Sequence, residues 1–296
     1  KAILLISYFS RITKAFKLLK NHEVILLSGK FSLWIGGFLS LFTSKKMIAV
    51  LHGSEVILTN KLLRKLTNWC LGRFQNTIAV SNHTKGLISD NLQNNCTVIS
   101  NGFEIAAKGV LNKQKPEIIN LITVGNVTKR KGQHNVIKAL PLLLRIFPKL
   151  KYHIVGIPTE KELLIDLAKS LNVMEAVVFH GMVSETDKID LLNKASIFVM
   201  LSEITCVGDV EGFGIAILEA NALGIPAIGA VGCGIEDAIN DGVSGILIDA
   251  QKPTQVLSAV KEIKNSYIEF SENAKLWSTN FSWNKIVKQY LKVIVK

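Results

Sequence analysis

Glu211-Gly-Phe-Gly-Ile-Ala-Ile-Leu-Glu219 is the stretch whose reading decides the fold. Two carboxylates close it, eight positions apart, and Gly212 and Gly214 flank Phe213. After Gly214 the apolar residues take helical spacing. The run ends at Leu223-Gly224-Ile225-Pro226, a glycine with a proline just beyond, which is how helices stop. The spacing therefore predicts a tight glycine turn feeding a helix over 215–223. Backbone N–H groups without intrahelical partners and the positive end of the helix dipole meet at such a turn. It is a seat for phosphate or for a ring of hydroxyls. Glu211 stands before the helix and Glu219 more than one turn inside it, so the pair could grip two parts of one elongated ligand if both face one cleft. Taken alone, the same residues fit a glycine loop with two solvated carboxylates equally well.

Working outward, strands alternate with helices on both sides of this stretch. Strands are expected at 118–124, 152–155, 177–179, 197–200, 227–230 and 246–248, with helices at 133–147, 160–171, 186–195, 215–223, 235–240 and 254–263. Such alternation builds a doubly wound parallel sheet, whose ligands sit beyond the C-terminal strand ends. Gly125, Gly156 and Gly181 each follow one of these strands, and the Glu211 loop follows the fourth, so all fall on one rim. Upstream, strands are expected at 2–6, 23–27, 47–51, 77–80 and 97–99, separated by helices at 11–20, 32–42, 60–74 and 84–92. The polar segment Lys108–Pro116 reads as a linker. The domains are accordingly 1–110 and 117–280, with a C-terminal helix over 281–296 that is a candidate to cross back to the first domain.

Composition narrows the class. Apolar residues make up 48% of 296 and mean hydropathy is +0.31, enough for a large core and against disorder. No apolar run, Phe31–Phe42 included, is long enough to span a bilayer, and no signal-peptide pattern is present. Cys70, Cys96, Cys206 and Cys233 are scattered without C-x-x-C spacing, as expected of reduced thiols in a cytoplasmic protein. Net charge is +12, and residues 1–116 carry all of the excess, with 16 Lys and Arg against 4 Asp and Glu. The asymmetry argues for two units with different surfaces and for an anionic neighbour of the first. On helix 11–20, Ile12, Phe16 and Leu19 share a face while Arg11, Lys14, Lys17 and Lys20 surround it, which suits an anionic membrane as well as an ordinary helix packed on its sheet.

In this order the motifs resemble those of the retaining glycosyltransferases of family 4, especially the bacterial phosphatidylinositol mannosyltransferases. Glu211 to Glu219 is similar to that family's E-x7-E signature. Gly125-Asn-Val-Thr-Lys-Arg-Lys131-Gly132 resembles its phosphate loop, Val98–Gly102 the turn ending its first domain, and His52-Gly53-Ser54-Glu55 its histidine loop. The resemblance is strongest over about 76–290. It implies an α/β protein of GT-B fold, with two Rossmann-like doubly wound domains facing a central cleft. It also implies transfer of a hexose from a GDP- or UDP-linked donor to a glycan or lipid-linked acceptor, without a metal or other cofactor.

By the same resemblance, Lys131 and Arg130 would stabilise the leaving diphosphate and Glu219 would take the ribose hydroxyls. Glu211, with the main chain of Gly212, Phe213 and Gly214, would orient the sugar. Gly125 and Asn126 would line the phosphate turn, the backbone of Gly181, Met182 and Val183 would meet the base, and His52 would face the sugar. No protein nucleophile is implied.

Two departures stand out. The family usually has Arg after the first phosphate-loop glycine, where this chain has Asn126; Lys129, Arg130 and Lys131 are the compensating cations. The family's N-terminal glycine-rich loop has no counterpart, since Gly36-Gly37 sits in a helical apolar pattern that suits close packing. The first residue is Lys1, and the first domain reads as short by a βα unit or two.

The competing classes are weaker. A non-catalytic donor-binding partner of a two-chain transferase would also account for Asn126. A dehydrogenase needs G-x-G-x-x-G after a strand, and Gly229-x-x-Gly232-x-Gly234 has the wrong spacing. No motif supports nucleic-acid binding despite the pI of about 9.5. Asp209-Val-Glu211 matches a metal-binding tripeptide, but such tripeptides are common by chance. Asp187 and Asp190 suit a helix N-terminus better than a ligand role.

Overall fold

The computed structural model describes residues 2–104, 113–205 and 208–295, with side chains from residue 11 onward. The chain divides into two compact units, Lys1–Ile99 with Lys288–Lys296, and Ser100–Val287.

The first unit holds a four-stranded, all-parallel sheet in the order β1-β2-β3-β4, formed by β1 (Val24–Ser28), β2 (Lys46–Leu51), β3 (Asn76–Ala79) and β4 (Cys96–Val98). Its two inner strands, β2 and β3, are almost wholly buried, as parallel strands covered on both faces require. Helices Lys30–Leu39 and Lys61–Leu71 pack on one another. A side-chain carbon on Gly36 would lie 2.3 Å from Leu27 Cδ1, and one on Gly37 would lie 2.3 Å from Cys70 Sγ. These glycines bring helix to strand and helix to helix. One expectation is corrected here, for residues 2–6 are not a strand but part of a single helix, Ala2–Leu19. A short apolar run does not distinguish strand from helix by periodicity, and this one has no Gly or Pro to separate it from the helical pattern that follows. In that helix Leu19 is buried, while Arg11, Lys14 and Lys17, and Lys20 just beyond it, are exposed.

The second unit carries a six-stranded parallel sheet in the order β10-β9-β8-β5-β6-β7. Its strands are β5 (Asn120–Val124), β6 (Lys151–Val155), β7 (Val177–Gly181), β8 (Ile197–Met200), β9 (Ala227–Ala230) and β10 (Gly245–Ile248). β8 and β9 are buried at every position. One continuous core runs from Leu121 and Tyr152 through Val199 to Val256 and Phe270. The unit begins earlier than the sequence pattern indicates: Phe103 forms an isolated parallel bridge with Ser282, its N–H donating to Phe281 O at 3.1 Å. A side-chain carbon on Gly102 would lie 2.6 Å from the Trp283 ring. That pairing joins residues far apart in the chain, so local patterning did not disclose it. Most of the expected linker lies outside the described residues. The last helix is Trp283–Val295; within the first unit, Lys46 Nζ donates to Val293 O at 2.8 Å and to Ile294 O at 3.0 Å.

Candidate active site

The strand order of the second unit reverses between β5 and β8, since β5, β6 and β7 run outward one way and β8, β9 and β10 the other. Ligands of open parallel sheets bind at such a reversal, beyond the carboxyl ends of the strands. The segment after β5 carries Arg130 and Lys131, and the segment after β8 carries Asp209 and Glu211, so the topology alone brings them together. Lys131 Nζ lies 2.7 Å from Glu211 Oε2. Arg130 Nη1 donates to the same oxygen, and Arg130 Nε is 3.2 Å from Asp209 Oδ2. The Lys131 and Glu211 side chains are 13% and 12% exposed, so solvent and salt screen this pair far less than a surface one.

Glycine lets the turn after β5 pass this close to the sheet. Gly125 has φ 152°, and a side-chain carbon there would lie 3.2 Å from Lys131 Cε, so the lysine stem runs across bare backbone. The 3-10 turn Lys129–Lys131 closes at Gly132, φ 72°, where a side-chain carbon would fall 1.7 Å from Leu201 O. The glycine rim is laced by main-chain bonds: Gly125 N–H donates to Val155 O and Gly156 N–H to Gly181 O, both at 2.8 Å. Asn126 is exposed, and its carbonyl accepts from Gln133 Nε2 at 3.0 Å.

The helix after the second segment is Ile215–Ala222. Its cap is Gly214, at φ 97°, and no side chain caps it. The Phe213 ring is 2% exposed and packs 5.7 Å from Phe281, centroid to centroid. Phe213 therefore anchors the turn with its ring and offers the site only its main chain. Gly212 and Glu211 are held from the other side, where Gly234 N–H donates to Glu211 O at 2.9 Å. Glu219, within the helix, pairs with Lys188 Nζ at 3.2 Å, and Lys188 also meets Glu185 at 2.8 Å. Burial alone would lower the Lys188 ammonium, but these hydrogen bonds and charges raise it above its usual value. Phe103, Ile189, Leu192 and Leu223 complete an apolar-walled recess beside Glu219 and Lys188. Gly181 ends β7 at φ 70°, followed by Met182, 78% exposed, and a half-buried Val183.

His52 belongs to the first unit. It follows β2, its side chain is exposed, and its N–H donates at 3.0 Å to Glu55 Oε2 on a residue only 4% exposed. Sequence reasoning missed the Lys188–Glu219 pair, which joins two helices by no motif. It also missed the role of Asp209. Both carboxylates of the Asp209-Val-Glu211 tripeptide take Arg130, and among the described residues no group of three or more His, Cys, Asp or Glu could hold a metal ion. Asp187 sits in the first turn of helix Glu185–Lys194, where Ser184 Oγ accepts from its N–H at 3.1 Å.

Two parallel-sheet units, with a glycine rim and a paired Lys–Glu at a strand reversal, define a doubly wound α/β class. Its architecture is GT-B: the chain superposes on the Anabaena protein HepE, crystallised with UDP and glucose, with a TM-score of 0.77 at 19% identity, covering 96% of this chain and 81% of that one. Residues 103–277 match the model of the glycosyl transferases group 1, and the chain belongs to that family. It is 29% identical over 196 residues to a glycogen synthase of Mycobacterium tuberculosis, covering 64% of this chain and 46% of that protein. It is 32% identical over 144 residues to a GDP-mannose-dependent phosphatidylinositol monomannoside mannosyltransferase of Mycolicibacterium smegmatis, covering 48% and 38%. The chain thus spans less than half the length of both.

Proposed function

We propose that this chain is a retaining glycosyltransferase, moving a hexose from a GDP- or UDP-linked donor to a glycan or lipid-linked acceptor in cell-envelope polysaccharide or glycolipid synthesis. The observation that carries the reading is the Lys131–Glu211 pair at the β5/β8 reversal, beside a helix start that no side chain caps. Leaving-group charge would develop on the diphosphate, and preorganised cations and N–H groups stabilise such charge most effectively in a partly buried site. Lys131 and Arg130 supply the cations, the turn at Gly125 and the Gly212–Gly214 loop the main chain. Glu219 holds the ribose, the backbone of Gly181–Val183 meets the base, and Glu211 acts on the sugar. The mannosyltransferase's dependence on GDP-mannose and HepE's UDP and glucose support a nucleotide-sugar donor.

The test is a panel of nucleotide sugars read by thermal shift and donor hydrolysis, with and without EDTA. Binding of none would overturn the assignment, and a strict need for Mn²⁺ or Mg²⁺ would instead restore the metal reading of Asp209-Val-Glu211.

We further propose that the first unit works against anionic lipid at the cytoplasmic face. Arg11, Lys14, Lys17 and Lys20 are exposed, as are Lys61, Arg64 and Lys65, and no helix among the described residues is long and apolar enough to cross a membrane. Each cation near the surface adds about 1 kcal/mol. Sedimentation with vesicles should rise with anionic lipid, fall with salt, and drop when Lys14, Lys17 and Lys20 become Gln. Equal binding to neutral and anionic vesicles would overturn it.

A further inference from the structure

The Glu211 carboxylate has two claimants that a diphosphate would also need. Its Oε2 receives both Lys131 Nζ, at 2.7 Å, and Arg130 Nη1. Neither cation has another described carboxylate this close except Asp209, which holds Arg130 by the opposite edge of the guanidinium, at Nε. Lys131 and Glu211 are both mostly buried, so an uncompensated charge on either is costly.

We infer that Glu211 is a discriminating residue that makes this site prefer a sugar-bearing nucleotide over the bare nucleoside diphosphate. The inference rests on the donor-site reading above and deepens it. When the nucleotide carries its sugar, the sugar hydroxyls give Glu211 donors of its own, and Lys131 and Arg130 are free to face the diphosphate. When the sugar has gone, Glu211 has no hydroxyl to accept from and takes the two cations back. The bare diphosphate then competes with a carboxylate already seated at hydrogen-bond distance. A ligand shifts such an equilibrium only by its differential interaction with the two arrangements, and the sugar is what supplies the difference here. Asp209 keeps Arg130 on the rim in either arrangement, because its contact is with Nε rather than with the Nη1 that changes partner.

The test is calorimetric titration of UDP, GDP, UDP-glucose and GDP-mannose into wild type, Glu211→Gln and Asp209→Asn. Wild type should favour the sugar-bearing member of whichever pair it binds. Glu211→Gln should bind the bare diphosphate about tenfold more tightly while the sugar nucleotide changes little, so the preference collapses. Asp209→Asn also removes a negative charge from the rim but leaves the Lys131–Glu211 pair, and should keep the preference. Glu211→Asp retains the charge on a shorter arm and should show a smaller shift in the same direction, which protects the test if Glu211→Gln folds poorly. Unchanged or weaker diphosphate binding in Glu211→Gln, or an equal gain for both ligands, overturns the inference alone. Failure of wild type to bind any of the four overturns the donor-site reading and this inference with it.

Discussion

Gly36 and Gly37 lie inside helix Lys30–Leu39 of the first unit, where they admit the side chains of Leu27 and Cys70; in the second unit Gly125 and Gly156 follow β5 and β6 and Gly132 caps the helix Gln133–Ile146, and there they admit backbone or the Lys131 stem. The first pair has ordinary helical geometry, whereas all three of the second set have positive φ. In one unit glycine serves packing density. In the other it serves the close approach of main chain that a rim of N–H groups and cations needs. The two surfaces differ in the same sense, since the excess positive charge is confined to residues 1–116 while the cations of the second unit's rim are compensated within it.

The contrast can be broken most directly at Gly132. Gly132→Ala combines a left-handed backbone with a carbon driven into Leu201 O, and should cost roughly 3 kcal/mol or more, read as a fall in urea midpoint. Gly37→Ala meets mainly a side chain, Cys70 Sγ, and should cost about 1–2 kcal/mol without altering nucleotide binding. Equal losses at the two positions would erase the distinction. Lys131→Ala should lower turnover of the donor about a hundredfold, with Arg130→Ala costing less. The reverse order would show that Asn126 has changed which cation meets the diphosphate. Glu219→Gln should raise KM for the donor about tenfold with kcat nearly unchanged, because a ribose contact is the same in ground and transition states. A fall in kcat instead would place Glu219 at the reacting sugar.

The smallest effect concerns acid. His153 Nδ1 and His180 Nε2 lie 2.9 Å apart with their rings stacked. Burial lowers both below the usual 6.5, and for His153 the neighbouring His180 and Lys151 lower it further. Below about pH 6.5 the unfolded chain binds protons that the folded unit refuses, so stability falls as pH falls through that value towards the lowered folded ones. Urea midpoints of wild type should therefore drop between pH 7.5 and 5.5 by more than those of His153→Gln/His180→Gln. Parallel slopes would show that the pair carries no acid sensitivity.

Much of the second unit was legible because its inner strands, Ile197–Met200 and Ala227–Ala230, are buried at every position and read as short apolar runs, and Gly125, Gly156 and Gly181 mark the ends of β5, β6 and β7. Gly214 before Ile215 and Gly224 before Pro226 mark both ends of one helix by local chemistry. The same logic failed at residues 2–6, where an apolar run without a turn signal joined the following helix instead of forming a strand. It also stopped at Phe103, whose partner at Ser282 no local pattern announces.

The sequence by itself determined the alternation of strands and helices, the positions of the glycine turns, and the family to which they point. These follow from short-range rules of burial period, φ and capping. Only the tertiary structure decided that Arg130 and Lys131 converge on one oxygen of Glu211, that Asp209 holds Arg130 by Nε, and that Lys188 rather than solvent meets Glu219. The first two depend on the order of strands in the sheet, which brings the ends of β5 and β8 side by side across more than seventy residues of intervening chain, and the third joins the two helices that flank β8. Charge partners at such separations are chosen by geometry, because Coulomb attraction has no sequence register and acts on whichever groups the fold places within a few ångströms.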